Sequence, residues 1–538
     1  MVFARRSTTL LAAIIASCAM VLSLTACTSD NKTVVDGQTT VTSNSAGGVA
    51  VFTPSDGITL NQQTPLNKWA KLVPDLAKAL ADAGFKKGDI DHTTSDSLAK
   101  QSRAIQDFVV DHLSNNTTDD SGIAIAPDNM TLLVAPVVEA DASTRQYGDY
   151  ISQNLSTNDA TDGEATSDGE SSEDDSSNTE SDSTASDEQA QAVDRLVSSL
   201  KLAKESGMHV VLLGNSIEGY KPDAFVKFSD AQTIGKLQAE KMVSKLKLDK
   251  ASKDNPKYIE VLLPYTAVDE KGNANDSTFA QEAFRGIWQV LGSYYQKGVV
   301  ESPSGTLDGK STENDWQAVA YDAAKEGSTA KVLDKRLAKT DGQSTLTRID
   351  GIITMNDYIA SEVVKELDDL GYTGSAADIN PQITISGIVG NITGKKDLSR
   401  DAVPDPIKSP ENDNANDSSS SDDDADEDTS ASDKDRDSQW PLVTGYGAYV
   451  SNIPSIVNGK QWMTGMEDRQ TIATDIAQAC AKLNKDEALN SMPSIRNSEV
   501  GGVKKIPTIS EPLLAVSASN LKSALIDPGY ISLADAGL

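Results

Sequence analysis

Apolar runs of strand length alternate with helical patterns along most of this chain, and that alternation, gone through twice, limits the fold more than any other feature. Gly48-Val-Ala-Val-Phe-Thr53, Thr131-Leu-Leu-Val-Ala-Pro136 and His209-Val-Val-Leu-Leu213 are near-continuous apolar runs, with a weaker one over 88–93. Runs of this kind belong to strands covered on both faces. Helical spacing lies between them: 67–85, with Trp69, Leu72, Val73, Leu76 and Leu80 on one stripe, then 98–113 and 193–206. Pro74 predicts a local irregularity in the first of these. A second round gives helices over 233–246, 279–295, 316–337 and 359–370, the last ended by Gly371. Its strands fall at 257–263, 351–354 and 382–387. The expected fold class is α/β, with two doubly wound parallel-sheet lobes, a hinge, and a cleft between the lobes outside the carboxyl ends of the strands.

Two acidic segments interrupt the pattern. Residues 156–190 hold twelve Asp/Glu and no Lys/Arg, and 411–438 hold twelve against Lys434 and Arg436. Nearly free of apolar side chains, they cannot bury enough surface to offset chain entropy, and disordered, solvated spacers are expected. They account for most of the net charge of −32, so the rest of the chain is ordinary for a soluble domain. Neither has the D-x-D-x-D-G spacing and closing Glu of a calcium loop. No basic stripe is present to displace counterions, which disfavours nucleic acid as a partner.

At the N-terminus, Arg5 and Arg6 precede an apolar stretch over 10–22 that is short for a membrane span and reads as an export signal. Leu24-Thr25-Ala26-Cys27 resembles the lipobox of bacterial lipoproteins. That resemblance implies a signal peptide over 1–26, lipidation of Cys27, and a chain held on the extracytoplasmic face of the cell membrane. The plainer alternative is an ordinary export signal with an incidental cysteine. Residues 27–45 form a polar tether, whose ends lie roughly 25 Å apart at random-coil dimensions. Cys18 leaves with the signal, and Cys480 sits on a helical pattern as a small core residue, so no disulfide is expected in the mature chain.

Beyond the signal, Phe228-Ser-Asp-Ala-Gln-Thr-Ile-Gly-Lys-Leu-Gln-Ala-Glu-Lys-Met-Val243 resembles the helix that enters the second lobe of type 1 periplasmic sugar-binding proteins. Within that family the xylose and galactose receptors of ABC transporters are the nearest branch. Thr131 to Val137 and Gly207 to Gly214 resemble its third and fourth strands, Val443 to Val450 and Ile456 to Thr464 its strand, helix and return crossing. Glu511 to Val516 and Leu525 to Tyr530 resemble its tail. The likeness covers about 48–535 and implies three crossings between lobes. It sets lobe 1 at 48–226 plus 465–503, and lobe 2 at 227–464 plus 504–538.

The family stacks a sugar on aromatic rings and pairs its hydroxyls with Asp, Asn, Arg and Lys. Carried over, Trp69 matches a family aromatic and Asp357, in Met355-Asn-Asp-Tyr358, a second-lobe carboxylate. Asp56, Asn215, Tyr446 and Asp468 complete the candidate ligand set. Trp69 also lies on its helix's apolar stripe, so a core role is the equal alternative. The family's Tyr-Asp-Arg is replaced by Leu213-Gly214-Asn215, its Gln-Asp-Ala by Tyr446-Gly447-Ala448, and a Lys by Glu467. Its paired Asn has no clear match over 273–278. Each lost partner costs about 1–3 kcal/mol, so several together should abolish binding of the family's usual sugars.

The resemblance implies a lipid-anchored solute receptor that passes a carbohydrate or similar polar small molecule to an ABC permease. The competing reading is a surface lipoprotein that kept the two-lobe fold for sensing or protein interaction. An enzyme is not expected: the mature histidines are His92, His112 and His209, and HExxH, CxxC and GxSxG are absent. Ser304-Gly-Thr-Leu-Asp-Gly-Lys-Ser311 ends like a phosphate loop but has Ser304 where the first glycine belongs, and reads as a plain loop. Asp368 and Asp369 read as a solvated helix face. No catalytic residue, metal ligand or cofactor is assigned.

Overall fold

The computed structural model describes residues 46–55, 65–115, 125–138, 145–156, 180–268, 275–323, 325–338, 345–376 and 438–538. The export signal with Cys27, the tether, Asp56, the strand expected over 382–387 and most of both acidic segments lie outside the described residues. Chain from Ser45 to Leu538 forms one compact unit.

Lobe 1 is built on a seven-stranded sheet in the order β15-β16-β7-β5-β3-β1-β2. Its strands are β1 (Gly48–Pro54), β2 (Ile90–Ser95), β3 (Met130–Val134), β5 (His209–Leu213), β7 (Ala224–Val226), β15 (Ile495–Val500) and β16 (Val503–Ile509). All neighbours are parallel except the β15–β16 hairpin. Alternate residues of each apolar run face opposite layers, as the pleat requires. Val49, Val51, Leu133, Val211 and Leu213 pack with helices α1 (Trp69–Asp82) and α10 (Arg469–Leu483). Ala50, Phe52, Leu132, Val134, Val210 and Leu212 pack with α2 (Leu98–Asn115) and α3 (Glu180–Glu205). Cys480 is fully buried in the first layer, where burial raises its thiol pKa. A small pair, β4 (Asn154–Leu155) and β6 (Ser216–Ile217), flanks the sheet.

Lobe 2 carries a four-stranded parallel sheet, ordered β10-β8-β12-β13. These are β8 (Lys257–Val261), β10 (Val300–Glu301), β12 (Gly351–Ile353) and β13 (Leu442–Val443), with β9 (Leu263–Pro264) pairing with β11 (Ala320–Tyr321) beyond β8. Around it α4 (Ala231–Leu246) packs on α5 (Thr278–Gln296), and α7 (Ser328–Arg336) on α8 (Asp357–Leu370). The two-lobe α/β architecture is the one expected. The lobes are joined at 227–230, 466–468 and 510–513, and the crossing strands β14 (Met463–Met466) and β17 (Leu514–Ser517) pair antiparallel.

Several boundaries differ from expectation. Lobe 1 runs to Ile509 rather than 503, because β15 and β16 form a hairpin closed by Gly501 and Gly502 and both strands stay in the lobe 1 sheet. The helix expected over 316–337 is α6 (Trp316–Val319), then β11, then α7, since Ala320 and Tyr321 turn extended to pair with Leu263 and Pro264. α3 starts at Glu180, so the last part of the first acidic segment is helical. α1 runs through Pro74 without a break. The 304–311 stretch is a loop, with Ser302 Oγ and Ser304 N donating to the buried Glu260 carboxylate at 2.7 and 2.8 Å. Among the described residues no helix is long and apolar enough to cross a membrane.

Candidate functional site

The lobes face each other at the carboxyl ends of their parallel strands, the usual address for a ligand in open α/β sheets. In this chain the address is largely taken by the protein's own side chains. The loop between β3 and α3 sends residues 145–151 across the gap, and Tyr147 and Ile151 are buried within the lobe 2 core. The Tyr147 ring lies 4.7 Å from Phe279 and 6.2 Å from Tyr446, centroid to centroid. Three residues on, Tyr150 faces lobe 1, stacked on Phe228 at 4.7 Å and edge-on to Trp69 at 5.1 Å.

The sequence-derived candidates fall into this closed region or at its margin. Trp69 is 3% exposed and sits among Tyr150, Phe228 and Gly214, so its indole is a core group in this state. Asn215 is buried, accepting from Gln153 N at 2.9 Å and donating to Pro136 O at 2.9 Å, which fixes the chain after β5. Asp468 caps α10, accepting from Thr471, and receives the Tyr530 hydroxyl at 3.1 Å. Trp69, Asp357 and Tyr446 are therefore brought to one region around the hinge, Asn215 holds local structure on lobe 1, and Asp468 caps a helix at the second crossing while bonding Tyr530 of the C-terminal segment.

Two carboxylates dominate that hinge. Asp357 opens α8, and its carboxylate accepts from Tyr449 N (2.9 Å), Gln461 Nε2 (2.7 Å) and Thr464 Oγ1 (2.9 Å). Burial pushes its pKa up to about 6, and these hydrogen bonds pull against that rise. Gly445 lets the carboxylate approach, since a Cβ there would stand 2.2 Å from Asp357 Oδ1. Glu467 accepts from Ser229 N at 2.7 Å and from the Tyr446 hydroxyl at 3.3 Å, tying the first crossing to the second. Burial raises it to about 7, opposed by the bonds from Ser229 and Tyr446.

Open space remains on lobe 2. At the carboxyl ends of β9 and β11 a groove of about 290 Å³ is lined by Tyr265, Thr266, Trp316, Gln317, Tyr321 and Asp322, among others. Tyr265 meets Trp316 edge to face at 5.1 Å, and Thr266 Oγ1 donates to Asp322 Oδ1 at 3.0 Å. The volume lies near the lower end of ligand pockets, roughly 300–1,000 Å³, a size for a single small polar molecule. Flat rings beside a carboxylate, an amide and a hydroxyl can accept a solute with one apolar face and several hydroxyls. Sequence reasoning missed this set because 316–337 read as one helix. A tryptophan between Asp315 and Gln317 was the available signal. A larger cavity, about 540 Å³, includes His209, Asp223, Glu487 and Asn497 in its lining, and involves the amino-terminal end of β5 rather than the cleft.

No family model matches the sequence, and no curated protein matches it. Among solved structures the fold is similar to an ABC transporter solute-binding protein from Clostridium phytofermentans with bound β-D-glucose. That comparison has 17% identity and a TM-score of 0.44, and covers 91% of this chain and 99% of that one. A carbohydrate transporter solute-binding protein from Chloroflexus aurantiacus in complex with D-glucose gives 18%, 0.43, 92% and 98% in the same order. A periplasmic ribose ABC transporter protein from Conexibacter woesei gives 14%, 0.41, 90% and 96%.

Proposed function

We propose that this chain is an extracytoplasmic solute receptor of an ABC importer, held at the cell membrane by lipid on Cys27, and that it takes a sugar or similar polar small molecule between its lobes. The observation that carries this reading is the lobe 2 groove, with Tyr265 and Trp316 beside Thr266, Gln317 and Asp322 at the carboxyl ends of β9 and β11. Two lobes joined by three short crossings support it, because hinge closure on a ligand is the signal a permease can read. The family resemblance in the order of the sequence motifs supports it independently. Asp322, the acidic residue of the groove lining, argues against an anionic ligand.

A second reading is favoured by one observation. The family-matched positions Trp69, Asp357 and Tyr446 are engaged inside the protein, as a surface lipoprotein that kept the fold for sensing or protein contact would have them. The test is thermal unfolding of the chain from Ser45 with a panel of monosaccharides, short oligosaccharides and amines at millimolar concentration. A ligand at 100 times its Kd stabilises by about 2.7 kcal/mol, which moves Tm by a few degrees. A selective shift is expected for the receptor, and a silent panel favours the second reading.

A further inference from the structure

Residues 145–151 are anchored on both sides of the cleft by different kinds of contact. On lobe 1, Asp149 forms an ion pair with Lys68 Nζ at 2.8 Å, accepts from Trp69 N at 3.1 Å, and its own N–H donates to Asn67 O at 2.8 Å. The Tyr150 hydroxyl donates to Lys68 O. On lobe 2, the Tyr449 hydroxyl donates to the Gln146 carbonyl at 2.6 Å, and Asn356 Nδ2 donates to Gln146 Oε1 at 3.1 Å. Tyr147 fills the space against Phe279 and Tyr446. Gly148 makes the two-way turn possible. It sits at φ +97°, and a Cβ there would lie 2.5 Å from Asn67 O.

This is what a bound solute does in a two-lobed receptor: an aromatic contact on each wall, and polar atoms bonded to both lobes at once. The lobe 2 contacts involve Asn356, the N-cap of α8, and Tyr449, whose backbone N–H holds Asp357. The segment therefore engages the same hinge elements whose positions define closure.

We propose that residues 145–151 are a built-in occupant of the interlobe cleft: they latch the lobes together with no solute bound, and an external solute must displace them. The displacement half rests on the solute-receptor reading above, and the latch half does not. Displacement sets a cost on binding, because the apparent Kd rises in inverse proportion to the fraction of molecules with the latch open. The solute that wins must offer both aromatic contact and hydrogen bonds to lobe 2, which raises selectivity at the expense of affinity.

The experiment uses the full chain carrying Cys18→Ser and Cys27→Ser, with spin labels at Glu205→Cys on α3 and Gln296→Cys at the end of α5, one exposed site on each lobe. Cys480 is buried and stays unlabelled. The unaltered segment should give one narrow distance distribution without ligand. Tyr147→Ala should add a distinct second population, and Tyr449→Phe, which removes only the hydroxyl bonded to Gln146, a smaller one. Tyr449→Phe keeps the test decisive if Tyr147→Ala fails to fold. Unchanged distances in the folded variants overturn the latch. Calorimetry with D-glucose as probe then tests displacement, with at least a tenfold lower apparent Kd expected in Tyr147→Ala. Equal affinity in both forms overturns displacement. Altered distances with no heat from D-glucose in either form support the latch and count against the receptor reading for this probe.

Discussion

Lobe 1 closes its side of the cleft with its own chain, sending Tyr147 among lobe 2 side chains, whereas lobe 2 leaves a groove of about 290 Å³ beside β9 and β11. Both features lie at the same kind of place, beyond the carboxyl ends of parallel strands, so the fold does not account for the difference. Loop chemistry does. The β3–α3 connection supplies Gln146, Tyr147, Asp149 and Tyr150, which satisfy walls on both lobes. The β9–α5 and β11–α7 connections instead place Tyr265 and Asp322 at the edge of open space. The architecture offers a ligand address twice, and loop residues decide whether it is filled from within.

That contrast makes unequal predictions for the two sides. The largest effect is expected at Asp357. Replacing it with Ala removes the acceptor for three buried donors, Tyr449 N, Gln461 Nε2 and Thr464 Oγ1. A loss of about 3–5 kcal/mol in unfolding free energy is expected by denaturant titration. A change under 1 kcal/mol would mean the filled side is not structural.

Next is pH. Asp357 is raised from 3.8 to about 6 and Glu467 from 4.5 to about 7, so the folded state holds these protons more tightly than the unfolded chain. Their contribution is fully present below the unfolded values and is lost as pH rises through about 6 and then about 7. The size is on the order of 2–3 kcal/mol for each group. Tm should therefore fall between about pH 4 and 7, and Glu467→Gln should flatten the part between about pH 4.5 and 7 while keeping the bonds from Ser229 and Tyr446. A Tm that climbs steadily over that window contradicts the buried-carboxylate account.

On the open side, Asp322→Ala should leave stability within about 0.5 kcal/mol, since the side chain is partly exposed. It should weaken a sugar identified by the thermal panel roughly 5- to 100-fold, the cost of one lost hydrogen-bond partner. Unchanged affinity would remove the groove from the site. The smallest effect is expected at Asp368→Asn, which breaks only a surface ion pair with Lys460 at 2.9 Å and should cost under about 1 kcal/mol.

Much of the scaffold was legible in the sequence, because burial on both sheet faces writes continuous apolar runs such as Gly48 to Thr53 and His209 to Leu213. Elements held by pairing rather than by their own pattern were not. Ala320 and Tyr321 are extended only because β9 lies beside them, and the β15–β16 hairpin carries no apolar run to mark its lobe. Trp69, Asp357 and Tyr446 were read from the sequence as candidates along with Asp56, Asn215 and Asp468, but spacing cannot tell a side chain aimed at a ligand from one engaged by Tyr150, Tyr449 or Glu467. The 145–151 segment left no periodic trace. Its role depends on a turn at Gly148 and on partners more than 200 residues away, such as Asn356 and Tyr449.

The most direct measurement is hydrogen–deuterium exchange of the ligand-free protein, read on peptides covering 145–151. The cleft-filling account predicts slow exchange at Asp149, whose N–H is bonded to Asn67 O, comparable with the strands of lobe 1. Exchange at the rate of an unprotected loop would contradict it, and would return the cleft between the lobes to an open site.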